Sequence, residues 1–511
     1  MKSFLQRYGS RIHGILHGLD RVRFRGTLRA LSYVRGMSGF LFGIGVPFKD
    51  FEKYVQKSSL QIRQTTHDLA TACGRPLETF RNPDKEAYAR SVAQRDGITA
   101  GLIGIFGATE SCLSYEVRGN RATKKLELHM RPRKCLHYYH YYLHPIFGLM
   151  HIRLQTWFPF SIHVCLNGRD WLARQLDEEG IPYQQRDNCL VEIADLSRAQ
   201  QLADAQLKTD WPTVLGQLAR HANPAHDTLF ARHPMDYYWS VEQSEWASDV
   251  LFRDPADLAR LYPQLVHHGI EHLSCADVLR FLGRKEAGTS EIHSSKKTRR
   301  EGVRVKYWIN GNSIKMYDKQ GQILRIESTL NNVSDYRAYR TKEGDDGGTK
   351  QWMPMRKGVA DLARRAEVSQ AGNSRYLDTL ATAEDTTPLA ELTTRVCQPV
   401  HWQGQRARAL NPLADKDAAL LTAVNRGEFT LNGFRNRDLR PLLFGDKSVP
   451  PAIERRQAAA VTRQLRLLRA HGLIRKVSAT HRYILTDQGR TIITALLAAR
   501  QADTRKLTNA A

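Results

Sequence analysis

The residues best suited to chemistry lie close together between positions 315 and 327. A phenol, two lysines and two carboxylates occupy this stretch, which reads Lys315-x-Tyr317-Asp318-Lys319 and then Leu324-Arg325-Ile326-Glu327. Asp249, in the upstream segment SEWASDVLF, offers a further carboxylate. Cleavage of a phosphodiester by a metal ion needs two or three oxygen ligands for Mg²⁺ beside an attacking oxygen. The residue types therefore fit phosphodiester chemistry.

These residues lie on a predicted β-meander. Turns at Asn310-Gly311-Asn312 and Lys319-Gln320-Gly321 separate runs in which apolar residues alternate with polar ones. A purely structural interpretation is also open. Asp318 and Lys319 would then form a hairpin turn, and Arg325 and Glu327 an ion pair on one face of a strand.

Residues 240–335 resemble the replication initiators of filamentous phages and rolling-circle plasmids, on the pattern K-x-Y-D-K followed by L-R-x-E. The resemblance implies Tyr317 as nucleophile, Lys319 as the electrostatic partner of the phosphate, and Asp249, Asp318 and Glu327 as acids that ligate Mg²⁺. Those families carry a His-hydrophobic-His metal motif, which this sequence lacks. The nearest substitutes are His137, His140, His144 and His151.

A second feature interleaves basic and aromatic residues in RPRKCLHYYHYYLHPIFG. Arg131, Arg133 and Lys134 precede a run of tyrosines that begins at Tyr138. Cations that hold phosphates beside rings that stack on bases are typical of single-strand binding. The alternatives are a tyrosine-rich element packed on the core, or a metal site built from the histidines. Further cations lie at Lys296, Lys297, Arg299 and Arg300, and on the predicted strand LDRVRFRGTL, which has one basic face.

The last hundred residues resemble a winged helix of the MarR type. Predicted helices 415–426, 436–444 and 453–471 precede a hairpin in LIRKVSATHRYILT and a final helix 487–500, and Gly472 ends the third helix. In that fold the third helix enters the major groove. The cations predicted to contact nucleic acid are Arg455, Arg456, Arg463, Arg466, Arg469, Arg475 and Lys476. A dimerisation or protein-docking module is the alternative.

Composition limits the classes of partner. The chain has 511 residues, a formal net charge of +24 and 41% hydrophobic residues, which favours a folded protein with a polyanionic partner, DNA and/or RNA. The seven cysteines form no CxxC pair, and the sequence contains no phosphate-binding GxxxxGK[ST], no GxGxxG after a strand and no GxSxG elbow. No stretch has the length and apolarity of a membrane span, so we expect a cytoplasmic protein.

The predicted fold class is α+β: a body with a mixed or antiparallel sheet and a C-terminal winged helix-turn-helix domain. We expect a nucleic-acid-binding α+β domain at 1–230, a second α+β domain with the meander and a helical extension at 236–382, and the winged helix at 413–505. Over nearly its full length the sequence also resembles an uncharacterised family of bacterial proteins that occur in several copies per genome, which implies a mobile element.

The predicted function is nucleic-acid binding of the mobile-element type. Within it, one interpretation is a Mg²⁺-dependent DNA nickase, replication initiator or transposase-like enzyme, with strand cleavage or transfer as its reaction. The other is a non-catalytic winged-helix regulator of DNA, or an RNA-binding partner of a structured noncoding RNA. The first requires Asp249, Asp318 and Glu327 to converge, whereas the second leaves them scattered or paired with arginines.

Overall fold

A computed structural model describes residues 1–511 except 81–83, 272, 274–291, 300–301, 310, 342–347, 382–388, 395, 427–428, 430–432, 446–448, 479 and 502–511. The strands are β1 (Ile12–Thr27), β2 (Leu77–Thr79), β3 (Gly101–Asn120), β4 (Lys125–His144), β5 (Gly148–Gln155), β6 (Ile162–Asn167), β7 (Tyr183–Gln185), β8 (Leu190–Ile193), β9 (Tyr238–Phe252), β10 (Ile292–Arg299), β11 (Gly302–Ile309), β12 (Asn312–Lys319), β13 (Ile323–Leu330), β14 (Arg337–Arg340), β15 (Gln351–Pro354), β16 (Val400–Trp402), β17 (Gln405–Ala407), β18 (Ile474–Lys476) and β19 (Tyr483–Leu485).

The α-helices are α1 (Lys2–Tyr8), α2 (Val34–Gly43), α3 (Phe51–Ala72), α4 (Lys85–Arg95), α5 (Gly168–Glu178), α6 (Leu196–Ala205), α7 (Trp211–Ala222), α8 (His226–Leu229), α9 (Pro255–Glu271), α10 (Leu362–Leu380), α11 (Leu389–Thr394), α12 (Asp415–Val424), α13 (Asn436–Phe444), α14 (Pro451–Ala470) and α15 (Asp487–Gln501). The chain is therefore mixed α and β, as predicted. Within the described residues, none of these helices combines the length and apolarity needed to cross a membrane.

The chain forms two compact units. The body unit comprises Gly14–Leu251 and Thr329–Glu367. The terminal unit comprises Met1–His13, Phe252–Ser328 and Val368–Ala511. Each unit is built from stretches that are separated in the sequence, so its bounds cannot be found from linker composition.

The body unit is organised around strands in the order β9-β1-β6-β5-β4-β3-β2, of which β2 and β3 run parallel. Side chains of a strand alternate between its two faces, and one face of this sheet is covered by a large apolar core. Phe24, Ile152 and Val164 lie on the apolar face, in a core that also contains residues of α2, α3 and α7. On the other face, α4 packs over Phe106 and Tyr141.

The terminal unit contains the predicted meander. β10 pairs antiparallel with β11, β11 pairs antiparallel with β12, and β13 is the neighbour of β12. The turn between β12 and β13 uses Gln320 and Gly321, both with positive φ (61° and 73°). The alternation of apolar residues thus predicts β11, β12, β13 and the turn between β12 and β13 correctly, whereas β10 precedes the predicted meander.

The C-terminal part of this unit has its own apolar core. Leu420, Leu439, Leu465 and Ile493 contribute to it from α12, α13, α14 and α15. β18 and β19 form an antiparallel hairpin, and Phe434 forms an isolated bridge with Tyr483 of β19. Gly472, with φ of 69°, follows the end of α14 as the sequence predicts.

Candidate functional site

The third helix of the C-terminal part, α14, separates apolar from basic residues. Val461 and Leu465 are buried in the core of this region. Arg455, Arg456 and Arg463 are exposed on the same helix. The structure thus places three of the predicted nucleic-acid contacts on a solvent-facing surface, which we call the α14 arginine surface.

The other predicted cations of this region differ in their surroundings. Arg475 and Lys476 are exposed on β18. Arg466 is also exposed, but it donates a hydrogen bond to the Oε1 atom of Gln405. Arg469 is half-buried, with its guanidinium 4.8 Å from the ring centroid of Trp402. Arg469 therefore packs against its own chain, a role that charge patterning alone does not reveal.

The predicted catalytic pair Tyr317 and Glu327 is brought together in the terminal unit. The Tyr317 hydroxyl on β12 donates a hydrogen bond of 2.8 Å to Oε2 of Glu327 on β13. The ammonium of Lys315, two residues along the same face of β12, binds Oε1 of Glu327. Lys319, predicted as the electrostatic partner of the phosphate, is the last residue of β12.

The electrostatics of Glu327 favour its ionised form. The carboxyl is buried, and burial by itself would raise its pKa. The nearby charge of Lys315 and the hydrogen bonds from Lys315 and Tyr317 outweigh burial and hold the pKa below its ordinary value. Glu327 is therefore an ionised acceptor beside a phenol.

The two other acids predicted to ligate Mg²⁺ have structural partners. Asp249 in the body unit forms an ion pair of 2.9 Å with Arg169, and each side chain is only 1% exposed. Asp318 accepts a 3.0 Å hydrogen bond from the backbone N–H of Gly321, which closes the turn after β12. Asp249 thus balances a buried guanidinium, and Asp318 closes the turn, as the structural interpretation predicted.

Most of the predicted basic and aromatic segment lies on β4, where its residues have different surroundings. Tyr138 is buried at 7% exposure in the apolar core, because it lies on the face of β4 that contacts the helices. Arg131 pairs with Glu116 at 3.0 Å, and Arg133 lies 5.7 Å from the ring centroid of Trp157. Lys134 is exposed. Tyr138 therefore stabilises the core and is not available to stack on bases.

The histidines of this segment cannot share one site through helical spacing. Since β4 is a strand, His137 and His140 point to opposite faces of the sheet. Both are buried.

The remaining predicted cations Lys296, Lys297 and Arg299 lie on β10. They pair in register with Val305, Arg304 and Gly302 of β11. Arg300 lies outside the described residues.

A polar pocket of about 490 Å³ lies on the other face of the body sheet. Two rows of paired residues cross four strands, and they read Arg23–Cys165–His151–Tyr141 and Arg25–His163–Arg153–Tyr139. All eight have odd numbers, which follows from the two-residue period of strands in register. The sheet thus collects titratable side chains that are far apart in sequence.

Glu110 of β3 is the centre of one set of contacts in this pocket. It accepts hydrogen bonds from the Tyr139 hydroxyl at 2.7 and 2.8 Å. Arg153 binds the same carboxylate with Nη2 at 2.8 Å, and Lys85 approaches it at 3.4 Å. Burial would raise the pKa of Glu110, but the Tyr139 hydrogen bonds and the charges of Arg153 and Lys85 lower it. The carboxylate is therefore ionised and held on several sides.

His163 connects this set to a second carboxylate. Nη1 of Arg153 lies 3.0 Å from Nδ1 of His163. Nε2 of the same imidazole lies 3.7 Å from Oε2 of Glu242, which pairs with Nε of Arg23 at 2.8 Å. Because a guanidinium can only donate, Nδ1 is the acceptor and Nε2 carries the proton.

The pocket keeps its imidazoles neutral. Burial lowers the pKa of His163 to about 3, with Arg153 adding to the effect, and burial lowers that of His151 to about 4. Burial raises the pKa of the Cys165 thiol to about 12. At neutral pH the pocket therefore offers uncharged imidazoles and a protonated thiol among arginines and ionised carboxylates.

Sequence reasoning missed this pocket. The one sequence feature that belongs to it is the basic face of the strand with Arg21, Arg23 and Arg25, which indicates a surface for a polyanion. His163 and Glu110 lie on strands whose pairing partners cannot be read from local patterns.

Comparisons of the chain with protein-family models, with curated proteins and with solved structures found no match.

Proposed function

We propose that this chain is a nucleic-acid-binding protein whose C-terminal part binds duplex DNA as a winged helix. The observation that carries the proposal is the α14 arginine surface. Arg455, Arg456 and Arg463 are solvent-facing on a helix whose other side is buried in an apolar core. A helix of this kind fits the major groove, where cations neutralise phosphates.

The surrounding elements support the same proposal. Within the described residues, α12, α13 and α14 precede the β18–β19 hairpin, and α15 follows it. The bridge between Phe434 and Tyr483 joins the segment before α13 to the hairpin. Exposed Arg475 and Lys476 on β18 would extend the basic surface onto the wing. A net charge of +24 suits such a partner, and a mobile-element role remains part of the proposal.

The proposal is tested with the triple variant Arg455→Gln/Arg456→Gln/Arg463→Gln. Its affinity for duplex DNA is measured by fluorescence anisotropy across a salt series. We expect weaker binding and a plot of log K against log salt that is flatter by about 0.9 for each lost phosphate contact. The charge-matched control is Arg95→Gln/Arg198→Gln/Arg220→Gln in the body unit. An unchanged salt slope in the first variant would contradict the proposal. Tighter binding of structured RNA than of duplex DNA would favour the RNA-partner interpretation.

A second candidate function is DNA strand nicking, favoured by the contact of Tyr317 with Glu327. Glu327 is placed to take the phenolic proton as the Tyr317 oxygen bonds to phosphorus. The phosphorus–oxygen bond to the neighbouring sugar would break, and the departing sugar oxygen would take up a proton from solvent. Lys315 would hold the carboxylate in place. The predicted Mg²⁺ would need oxygen ligands beyond Glu327.

Covalent capture tests this candidate. Wild-type protein with labelled single-stranded DNA and Mg²⁺ should form a denaturation-resistant adduct that EDTA prevents. Tyr317→Phe should abolish the adduct, whereas Tyr339→Phe, an exposed tyrosine of β14, should not. An adduct that survives Tyr317→Phe, or its absence from the wild type, would exclude Tyr317 as the nucleophile and favour a non-catalytic regulator.

A further inference from the structure

The polar pocket contains a donor without a hydrogen-bond partner in the described part of the chain, next to a carboxylate oxygen whose contact is the 2.8 Å ion pair with Arg23. They are Nε2 of His163 and Oε2 of Glu242, both buried and both at the pocket wall. Their separation of 3.7 Å is too long for a hydrogen bond between them. The Glu242 oxygen already contacts the charge of Arg23, but a carboxylate oxygen has lone pairs for more than one donor.

The tautomer of His163 decides what chemistry this pair can recognise. Since Arg153 lies at Nδ1, Nε2 of His163 is a donor, and Glu242 beside it is an acceptor. A metal ion on Nε2 is disfavoured, because a ligating histidine normally donates from its other nitrogen, and here that nitrogen faces a guanidinium. The pair instead suits a planar ligand edge that offers an acceptor next to a donor, as the pairing edges of nucleobases do.

The rest of the pocket fits a ligand of that kind. Its volume of about 490 Å³ lies in the range of small-molecule and cofactor sites. The wall includes the ring of the half-buried Tyr139, which is the type of side chain on which bases pack. Arg21 also lines the pocket, and its side chain is 53% exposed with Glu86 at 3.7 Å. A half-exposed guanidinium is suited to a phosphate that remains near solvent.

We propose that this pocket binds a nucleotide, with the base edge hydrogen-bonded to Glu242 and His163 and the phosphate at Arg21. The inference does not depend on duplex binding by the C-terminal part, because every residue it uses lies in the body unit.

Titration calorimetry on the full-length protein tests the pocket, with UMP and GMP as probes and with uridine and inorganic phosphate as partial ligands. We expect both monophosphates to bind more tightly than either partial ligand. Glu242→Gln should weaken the monophosphates at least tenfold, because it removes the charge next to the base. Arg21→Gln should weaken the monophosphates but not uridine. The matched control is Glu192→Gln, an exposed carboxylate of β8 in the same unit.

Location and folding are checked separately. Photocrosslinking of 5-iodo-UMP should label peptides that contain Tyr139, Tyr141 or His151, and thermal unfolding should show that each variant is folded. The proposal would be overturned if neither monophosphate gave a binding heat, or if phosphate alone bound equally well. Equal losses of affinity in Glu192→Gln and Glu242→Gln, or labelling of other peptides, would also overturn it. Duplex binding measured on the same samples should be unchanged by Glu242→Gln, so that failure of one proposal does not decide the other.

Discussion

Single ion pairs determine which acids of this chain are available for chemistry. Asp249 and Glu327 are both buried carboxylates, yet their partners differ. Asp249 meets the guanidinium of Arg169 at 1% exposure, whereas Glu327 accepts a phenol and an ammonium. The first contact balances a buried charge, and the second also prepares a hydroxyl for proton transfer. The sequence places both acids in apolar strands and does not distinguish the two roles.

The structural role of Asp249 is directly measurable. Asp249→Ala would leave Arg169 as a buried charge without this carboxylate, and we expect the free energy of unfolding to fall by about 3–5 kcal/mol. Urea denaturation checks this, with Glu192→Gln as the exposed control. A loss below about 1 kcal/mol would show that the ion pair contributes little to stability and would favour a role of Asp249 as a ligand.

At the scale of elements, periodicity predicts strands and helices well but not their pairing. The meander, the C-terminal helices and the stop at Gly472 follow from local pattern. The helical extension predicted within 236–382 is α10, which begins at Leu362, and it is preceded by β14 and β15. The polar pocket could not be predicted, because it exists only when Arg23, His151 and Cys165 are brought into register by three strands.

The start of α15 gives a prediction about packing. A Cβ atom at Gly489 would lie 2.0 Å from the backbone oxygen of Leu473, which cannot move without shifting the residue before β18. We therefore expect Gly489→Ala to lower the free energy of unfolding by about 1–3 kcal/mol. Gly216→Ala is the matched control. Its Cβ has open space within α7, so it should be neutral or stabilising by up to about 1 kcal/mol. Equal effects of the two substitutions in thermal unfolding would contradict this packing.

At the scale of the whole molecule, buried neutral histidines should set its response to acid. His17, His137, His140 and His151 have pKa values lowered to about 4, and His163 to about 3, with burial as the largest cause in each. A folded-state pKa below the unfolded value of about 6.5 means that the unfolded chain binds the proton first. Their contribution to stability is therefore complete above pH 6.5 and is lost as the pH falls towards 4.

Denaturation at a series of pH values checks this expectation. Each such histidine steepens the dependence by up to about 1.4 kcal/mol per pH unit between pH 6.5 and 4. His140→Phe should make the slope shallower by up to the contribution of one proton, whereas substitution of His129, whose side chain is 39% exposed, by Asn should leave it unchanged. A flat profile over this range, or the same slope in the His140 variant, would contradict the assignment.

The discontinuous course of the body unit has a consequence for synthesis on the ribosome. Its sheet places β9 next to β1, and the unit also needs residues 329–367, which are translated only after 252–328 of the other unit. At bacterial or eukaryotic elongation rates, that interval lasts on the order of ten seconds. A nascent chain that ends near residue 251 lacks part of the body unit, so apolar residues of its core would be exposed to chaperones and proteases. Ribosome-stalled intermediates of this length should therefore be more protease-sensitive than those that extend past residue 367.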